Sequence, residues 1–199
     1  MLAKWKLREV ILLSVLSAVF AVVYLAFTQF GNVLFGMFGM IGYDIIFGIW
    51  FIVSIIAAYI IRKPGAAFIS ETIAAAVEVL IGNAVGPMLI ISGMIQGLGA
   101  EVVFAAFRYR KYSTVTLMLA GMGAAVFSFV WGFYVSGLAS LSSTYLTAMF
   151  IVRLVSGALL AGLLGKYLSE GLAKTGVLHN YPLGKERKRL NTSESTTTL

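Results

Sequence analysis

The 199-residue sequence contains no cysteine, a single histidine and only 12% charged residues. Without cysteine there is no disulfide, no thiol nucleophile and no thiolate metal site, and one histidine cannot assemble the ligand clusters that hold zinc or haem. No metal site, cofactor or catalytic residue is therefore expected. No G-x-x-x-x-G-K-[ST] phosphate loop is present, so the chain cannot energise transport through a P-loop ATPase of its own, and H-E-x-x-H and G-x-S-x-G are missing as well. Soluble domains are about 45–50% apolar and about 25% charged. With 60% hydrophobic residues and a mean hydropathy of +0.95, this chain is not one of them.

Long apolar runs fill most of the sequence instead. They extend over Val10 to Phe30, Tyr43 to Ile61, Pro64 to Asn83, Met88 to Phe107, Val115 to Tyr134 and Leu146 to Gly165. A helix needs about 20 apolar residues to cross a hydrocarbon core, and transmembrane β-strands alternate over about 10, so the runs predict an all-α membrane protein with six transmembrane helices. Lys and Arg are missing from the segments 31–42, 84–87 and 135–145. They collect before the first run, at Arg62 and Lys63, at Arg108, Arg110 and Lys111, and after the sixth. By the positive-inside rule both termini are cytoplasmic. Residues 1–178 form the membrane domain, and the polar, basic stretch 179–199 is expected to be a disordered cytoplasmic tail. Its charge fits topology and contact with anionic lipid rather than nucleic acid.

Five ionisable residues fall inside the predicted spans: Asp44, Glu71, Glu78, Glu101 and Arg153. A charge near the bilayer centre costs about 2.5–3.5 kcal/mol on insertion scales, so each calls for a partner or a function. Glu71 and Glu78 are seven residues apart on one helix face, with the small Ala74 and Ala75 between them. Gly93, Gln96, Gly97, Ala100 and Glu101 share a stripe of the next helix, which serves close packing or a polar interior. Depth along the helices places Glu78 and Gln96 in the outer half, as candidates to meet a ligand from outside, with Glu71 and Glu101 deeper. Arg153 is expected to neutralise Glu78 or Asp44. Phe127, Trp131 and Tyr134 share a face at the outer end of the fifth helix, near the level of Tyr24 and Tyr43, as an interfacial belt or a stacking platform for a flat or cationic ligand. Ser14 with Ala18, and Ser17 with Ala21, repeat at the four-residue spacing of helix-packing surfaces.

The stretches Arg62-Lys63-Pro64-Gly65-Ala66-Ala67, Gly82-Asn83 and Gln96-Gly97-Leu98-Gly99-Ala100-Glu101, with Ser156-Gly157 and Gly162 to Gly165, resemble the YkoE family over roughly residues 8 to 178. That family comprises substrate-binding S components of energy-coupling factor (ECF) importers, a type of ABC transporter, for thiamine and its hydroxymethylpyrimidine precursor (HMP). The resemblance implies a bacterial plasma-membrane protein with an outward-facing vitamin pocket. It also implies a transmembrane T component and cytoplasmic ATPases as partners, with Ser14, Ser17, Ala18 and Ala21 at the place where S components commonly carry the T-component contact. Glu78, Gln96, Asn83, Trp131, Tyr134, Phe127, Tyr24, Glu71 and Glu101 are the candidate substrate-binding residues. A stand-alone proton-coupled transporter of a small cationic or aromatic solute is the alternative, with Glu71, Glu78, Glu101 and Arg153 as a relay. The shortness of the chain and the lack of paired, interrupted helices count against it.

Overall fold

A computed structural model describes residues 4–197, with side chains through residue 190. The described residues hold helices and turns and no strand. In chain order the helices are α1 (Leu7–Phe38), α2 (Ile41–Ile45), α3 (Ile52–Ile61), α4 (Ala66–Leu80), α5 (Met88–Ala106), α6 (Thr114–Val135), α7 (Ser143–Ser156), α8 (Gly165–Lys174) and α9 (Pro182–Thr197). A 3₁₀ segment, Phe47–Phe51, joins α2 to α3, and a π-helical stretch, Gly157–Leu164, joins α7 to α8. Among the described residues, four helices are long and apolar enough to cross a membrane: Leu7–Phe38, Met88–Ala106, Thr114–Val135 and the continuous Ser143–Lys174, with Phe47–Ile61 as a shorter apolar helix.

The second predicted run is thus not one regular helix, and tertiary contacts explain the break. Gly48 is pressed against α7, where an added Cβ would lie 2.4 Å from the Ser156 carbonyl oxygen. Its N–H donates to Ser156 Oγ (3.0 Å), and the Val53 N–H donates to Tyr24 Oη (3.0 Å). These acceptors take donors that a regular helix would direct to its own carbonyls. The sixth run is longer than expected, because the π stretch carries it on into α8.

α5 lies between α4 and α6, α1 and α3 flank α4, and α7 packs on α2 and α6. The α4–α5 contact rests on the small residues of the sequence stripe. A Cβ on Gly93 would come within 2.5 Å of Ala75 Cβ, and one on Gly97 within 3.0 Å of Glu71 Cβ, so any larger residue would force the two helices apart. The core of buried side chains runs through α3, with Phe51, Ile52, Ile55, Ile56, Ile60 and Ile61 almost wholly excluded from solvent.

The start of the segment after residue 178 is packed against the bundle. Leu178 and Leu183 are buried. The Tyr181 hydroxyl donates to the Arg8 carbonyl (2.8 Å), and Arg187 Nη1 donates to the Glu170 carbonyl (3.2 Å), so the start of α9 is held to α1 and α8. Leu178 precedes α9 and Leu183 lies in its first turn, and together they anchor its start. Residues 198 and 199 lie outside the described residues.

Candidate substrate-binding site

The loops 81–87 and 136–142 share one end of the bundle, and Arg62, Lys63, Arg108, Arg110 and Lys111 lie at the other. Between the charge-poor end and mid-bundle is a cavity of about 450 Å³, within the range of small-molecule sites, about 300–1,000 Å³.

Each wall repeats a helical period. From α4 come Glu71, Ala75 and Glu78, and from α5 Leu89, Ser92, Gly93 and Gln96. From α6 come Ser128, Trp131, Gly132 and Val135, and α7 supplies Met149 and Arg153. Tyr43, Phe47 and Trp50 close the remaining side, at four- and three-residue spacing across α2 and the 3₁₀ segment. Two of these rings sit against Gly31 of α1, where a Cβ would stand 2.9 Å from the Tyr43 ring and 3.0 Å from the Trp50 ring.

The polar groups fall into two sets. On the α4–α5 side, Asn83 Nδ2 donates to Glu78 Oε1 (2.6 Å) while its own carbonyl accepts from the Val85 N–H (2.8 Å), so the short loop after α4 orients the carboxylate. The other Glu78 oxygen has no partner among the described residues and is not sealed from the cavity. Gln96 Nε2 donates to Ser128 Oγ (3.4 Å), and Trp131 Nε1 donates to Ser92 Oγ (3.0 Å), which fixes the indole across the gap between α5 and α6. Glu71 lies deepest and accepts from the Tyr24 hydroxyl (3.3 Å). On the α7 side, Arg153 Nε donates to Asp44 Oδ1 (2.5 Å), and its guanidinium lies 3.9 Å from the Phe47 ring centroid. The arrangement offers carboxylate and amide oxygens, a fixed indole and a further aromatic wall, a combination that holds a flat or cationic ring by stacking and charge.

The cavity brings together Glu78, Gln96, Asn83, Trp131 and Glu71, with Arg153. Other candidates lie elsewhere. Tyr24 stands behind Glu71 as its hydrogen-bond donor. Glu101 is withdrawn to the opposite end: it accepts from the N–H groups of Gly65, Ala67 and Phe68 (2.6, 3.0 and 3.2 Å) and from the Tyr109 hydroxyl (2.8 Å). It thereby caps α4, whose N-cap Gly65 has no side chain to do so. Phe127 and Tyr134 are not in the lining, and Tyr134 is 78% exposed. The cavity face of α6 is rotated by about one residue, or 100°, from the aromatic stripe, so that Ser128 and Val135 take the expected places of Phe127 and Tyr134. On α1, Ser17 and Ala21 are buried, with Ser17 Oγ donating to the Ser70 carbonyl (2.8 Å), and only Ser14 and Ala18 of the proposed partner surface keep partial exposure. Phe47, Trp50, Ser92 and Ser128 were not singled out from the sequence. The Tyr43–Phe47–Trp50 period was the signal available for the first two.

Residues 8–127 match a protein-family model described as the ABC-type cobalt transport system, permease component. A crystal structure of an S-component of an ECF transporter superimposes with a TM-score of 0.95 and 60% identity, over 98% of each chain. The chain belongs to this permease family, and within it to the S components of ECF transporters. YkoE of Bacillus subtilis (strain 168), to which its name assigns the role of HMP/thiamine permease, is 62% identical over 185 residues, 93% of each chain.

Proposed function

We propose that this chain is the substrate-binding subunit of an ECF-type importer and captures thiamine, HMP or both in the cavity described above. The observation that carries the reading is the partly unpaired Glu78 carboxylate beside the fixed Trp131 indole, in a cavity of suitable volume. The thiazolium of thiamine is a permanent cation, which gives a purpose to a carboxylate that is otherwise costly in a membrane. Its aminopyrimidine has a donor and acceptor edge that Asn83 and Gln96 complement. A cobalt cargo is not favoured, since no group of three or more His, Asp or Glu side chains able to hold a metal ion occurs among the described residues.

In this reading the chain crosses the plasma membrane six times, with α4 and the Phe47–Ile61 segment as the short crossings. Both termini and the basic end lie in the cytoplasm, and the cavity opens outward. ATP hydrolysis belongs to separate ATPase subunits that act through a T component, for which Ser14 and Ala18 supply part of the docking face. The test is calorimetry on the purified chain with thiamine and with HMP. Glu78→Gln is expected to weaken thiamine tenfold or more, in line with about 1.5–3 kcal/mol for an interaction with a charged group, and to weaken the uncharged HMP far less. Equal losses would remove the role given to the carboxylate. Uptake by liposomes holding this chain alone would overturn the subunit reading.

A further inference from the structure

Arg153 is held in an unusual way for a buried arginine. It uses only Nε towards Asp44, and that carboxylate is wholly buried with its second oxygen, Oδ2, unpartnered. The paired fork by which guanidinium and carboxylate commonly meet is therefore not formed. The consequence lies on the other side of the guanidinium. Neither Nη1 nor Nη2 has a hydrogen-bond partner among the described residues, and neither is among the buried atoms lacking one. Both are thus open to the cavity that Arg153 lines. The group is also fixed in place. Its Nε is tied to Asp44, its face lies against Phe47, and the Phe129 ring centroid is 5.2 Å away. Gly132, where an added Cβ would lie 3.8 Å from Nη1, leaves room in front of it.

This placement follows from the crossing of the two segments. Gly48 and Ser156 meet backbone to backbone, and Asp44 and Arg153 each precede that crossing by about one turn. Because α4 packs on α1, α3 and α5, while α7 packs on α2 and α6, the cavity carries its carboxylates and its guanidinium on different walls.

We infer that Arg153 is a specificity-determining residue whose Nη1 and Nη2 donate to a neutral hydroxyl oxygen on the ligand, at the side away from Glu78. The acceptor is a neutral one because Asp44 already balances the guanidinium and two further carboxylates, Glu71 and Glu78, line the same space. A phosphate ester brought there would meet this negative charge. The inference rests on the thiamine reading of the site. With the aminopyrimidine at Asn83 and Gln96 and the thiazolium near Glu78, the hydroxyethyl group of thiamine is the part left to reach Arg153. HMP has no thiazolium arm and does not reach it.

The test is titration calorimetry of the full chain in detergent with thiamine, HMP, thiamine monophosphate and a thiamine analogue bearing ethyl in place of hydroxyethyl. The wild-type chain is expected to bind the ethyl analogue tenfold to a hundredfold more weakly than thiamine, the range for a hydrogen bond to a charged group, and to bind the monophosphate no more tightly than thiamine. Arg153→Gln combined with Asp44→Asn, which removes both charges together, is expected to lower thiamine affinity to that of the analogue and to leave HMP affinity unchanged. Retained HMP binding shows that the variant is folded. Equal binding of thiamine and the ethyl analogue by the wild-type chain overturns the proposal without needing any variant to fold. A tighter monophosphate, or a parallel loss of HMP in the double variant, overturns it too. Failure of the wild-type chain to bind either thiamine or HMP would instead strike the reading of the site beneath it.

Discussion

The two ends of the bundle use the same residue type in opposite ways. At the basic end Glu101 accepts four hydrogen bonds, three from the first turn of α4 and one from Tyr109. Glu9 there accepts from the Lys6 N–H and from Lys63, and Arg62 pairs with Glu186 while lying over the rings of Tyr59 and Tyr112. At the charge-poor end, among the described residues, Glu78 has one hydrogen-bond partner, Asn83, and an oxygen facing the cavity, and Arg153 has one hydrogen-bond partner, Asp44, and two open Nη groups. Burial alone does not separate the two ends. Hydrogen-bond capacity does: a carboxylate whose acceptors are all in use holds the fold, and one with an acceptor left over towards a cavity is available to a ligand.

The largest effect that tests this contrast is expected from Glu101→Ala. It leaves the first N–H groups of α4, which are partly shielded from water, without their cap, and a fully buried donor so abandoned costs about 1–3 kcal/mol. A clear fall in the thermal unfolding midpoint in detergent is expected, with thiamine affinity of the still-folded protein little changed. Near-normal stability with lost binding would reverse the assignment of the two ends.

The difference between the ends also explains what was legible in the sequence. Glu71, Ala75 and Glu78, and Gly93 with Gln96, lie on uninterrupted helices, so their spacing alone gives the face that they share. The partner of Arg153 was narrowed to Glu78 or Asp44, and the crossing at Gly48 and Ser156 decides for Asp44. The depth of Glu101 follows from its position along the helix, but its capping role does not, because its partners are backbone N–H groups 33 to 36 residues away, which leave no mark in side-chain spacing. Phe47 and Trp50 were missed for a related reason. The run 43–61 reads as one apolar helix, and the contacts that turn its first half into a 3₁₀ segment come from Ser156 and Tyr24, far away in the chain. The two inward residues of α1, Ser17 and Ala21, show that small-residue spacing marks a packing face without saying whether it faces the bundle or another subunit.

A smaller effect, felt at the cavity end, is expected from Gly93→Ala. The new methyl would meet Ala75 Cβ at 2.5 Å, and overpacking of this kind costs about 1–3 kcal/mol. Gly93 and Ala75 both line the cavity, so widening the α4–α5 gap is expected to lower thiamine affinity along with the unfolding midpoint. Glu101→Ala moves only the second of these, so the pair of variants separates a wall of the site from a cap of the fold. Loss of stability with unchanged affinity in Gly93→Ala would show that the α4–α5 spacing does not set the shape of the cavity.

The smallest effect concerns two aromatics three residues apart on one helix. Trp131 lines the cavity, and its Nε1–H is engaged by Ser92, whereas Tyr134 is 78% exposed at the end of α6 with its ring edge-on to Phe133. Three residues along an α-helix turn the side chain by about 300°, a net offset of about 60°, enough to carry Tyr134 off the cavity face. Exposed substitutions away from such features stay within about 0.5 kcal/mol. Tyr134→Ala is therefore expected to leave both the unfolding midpoint and the calorimetric thiamine affinity unchanged. A marked loss of affinity would place the tyrosine over the bound ligand after all, and would mean that the end of α6 rotates by most of a residue when the site fills.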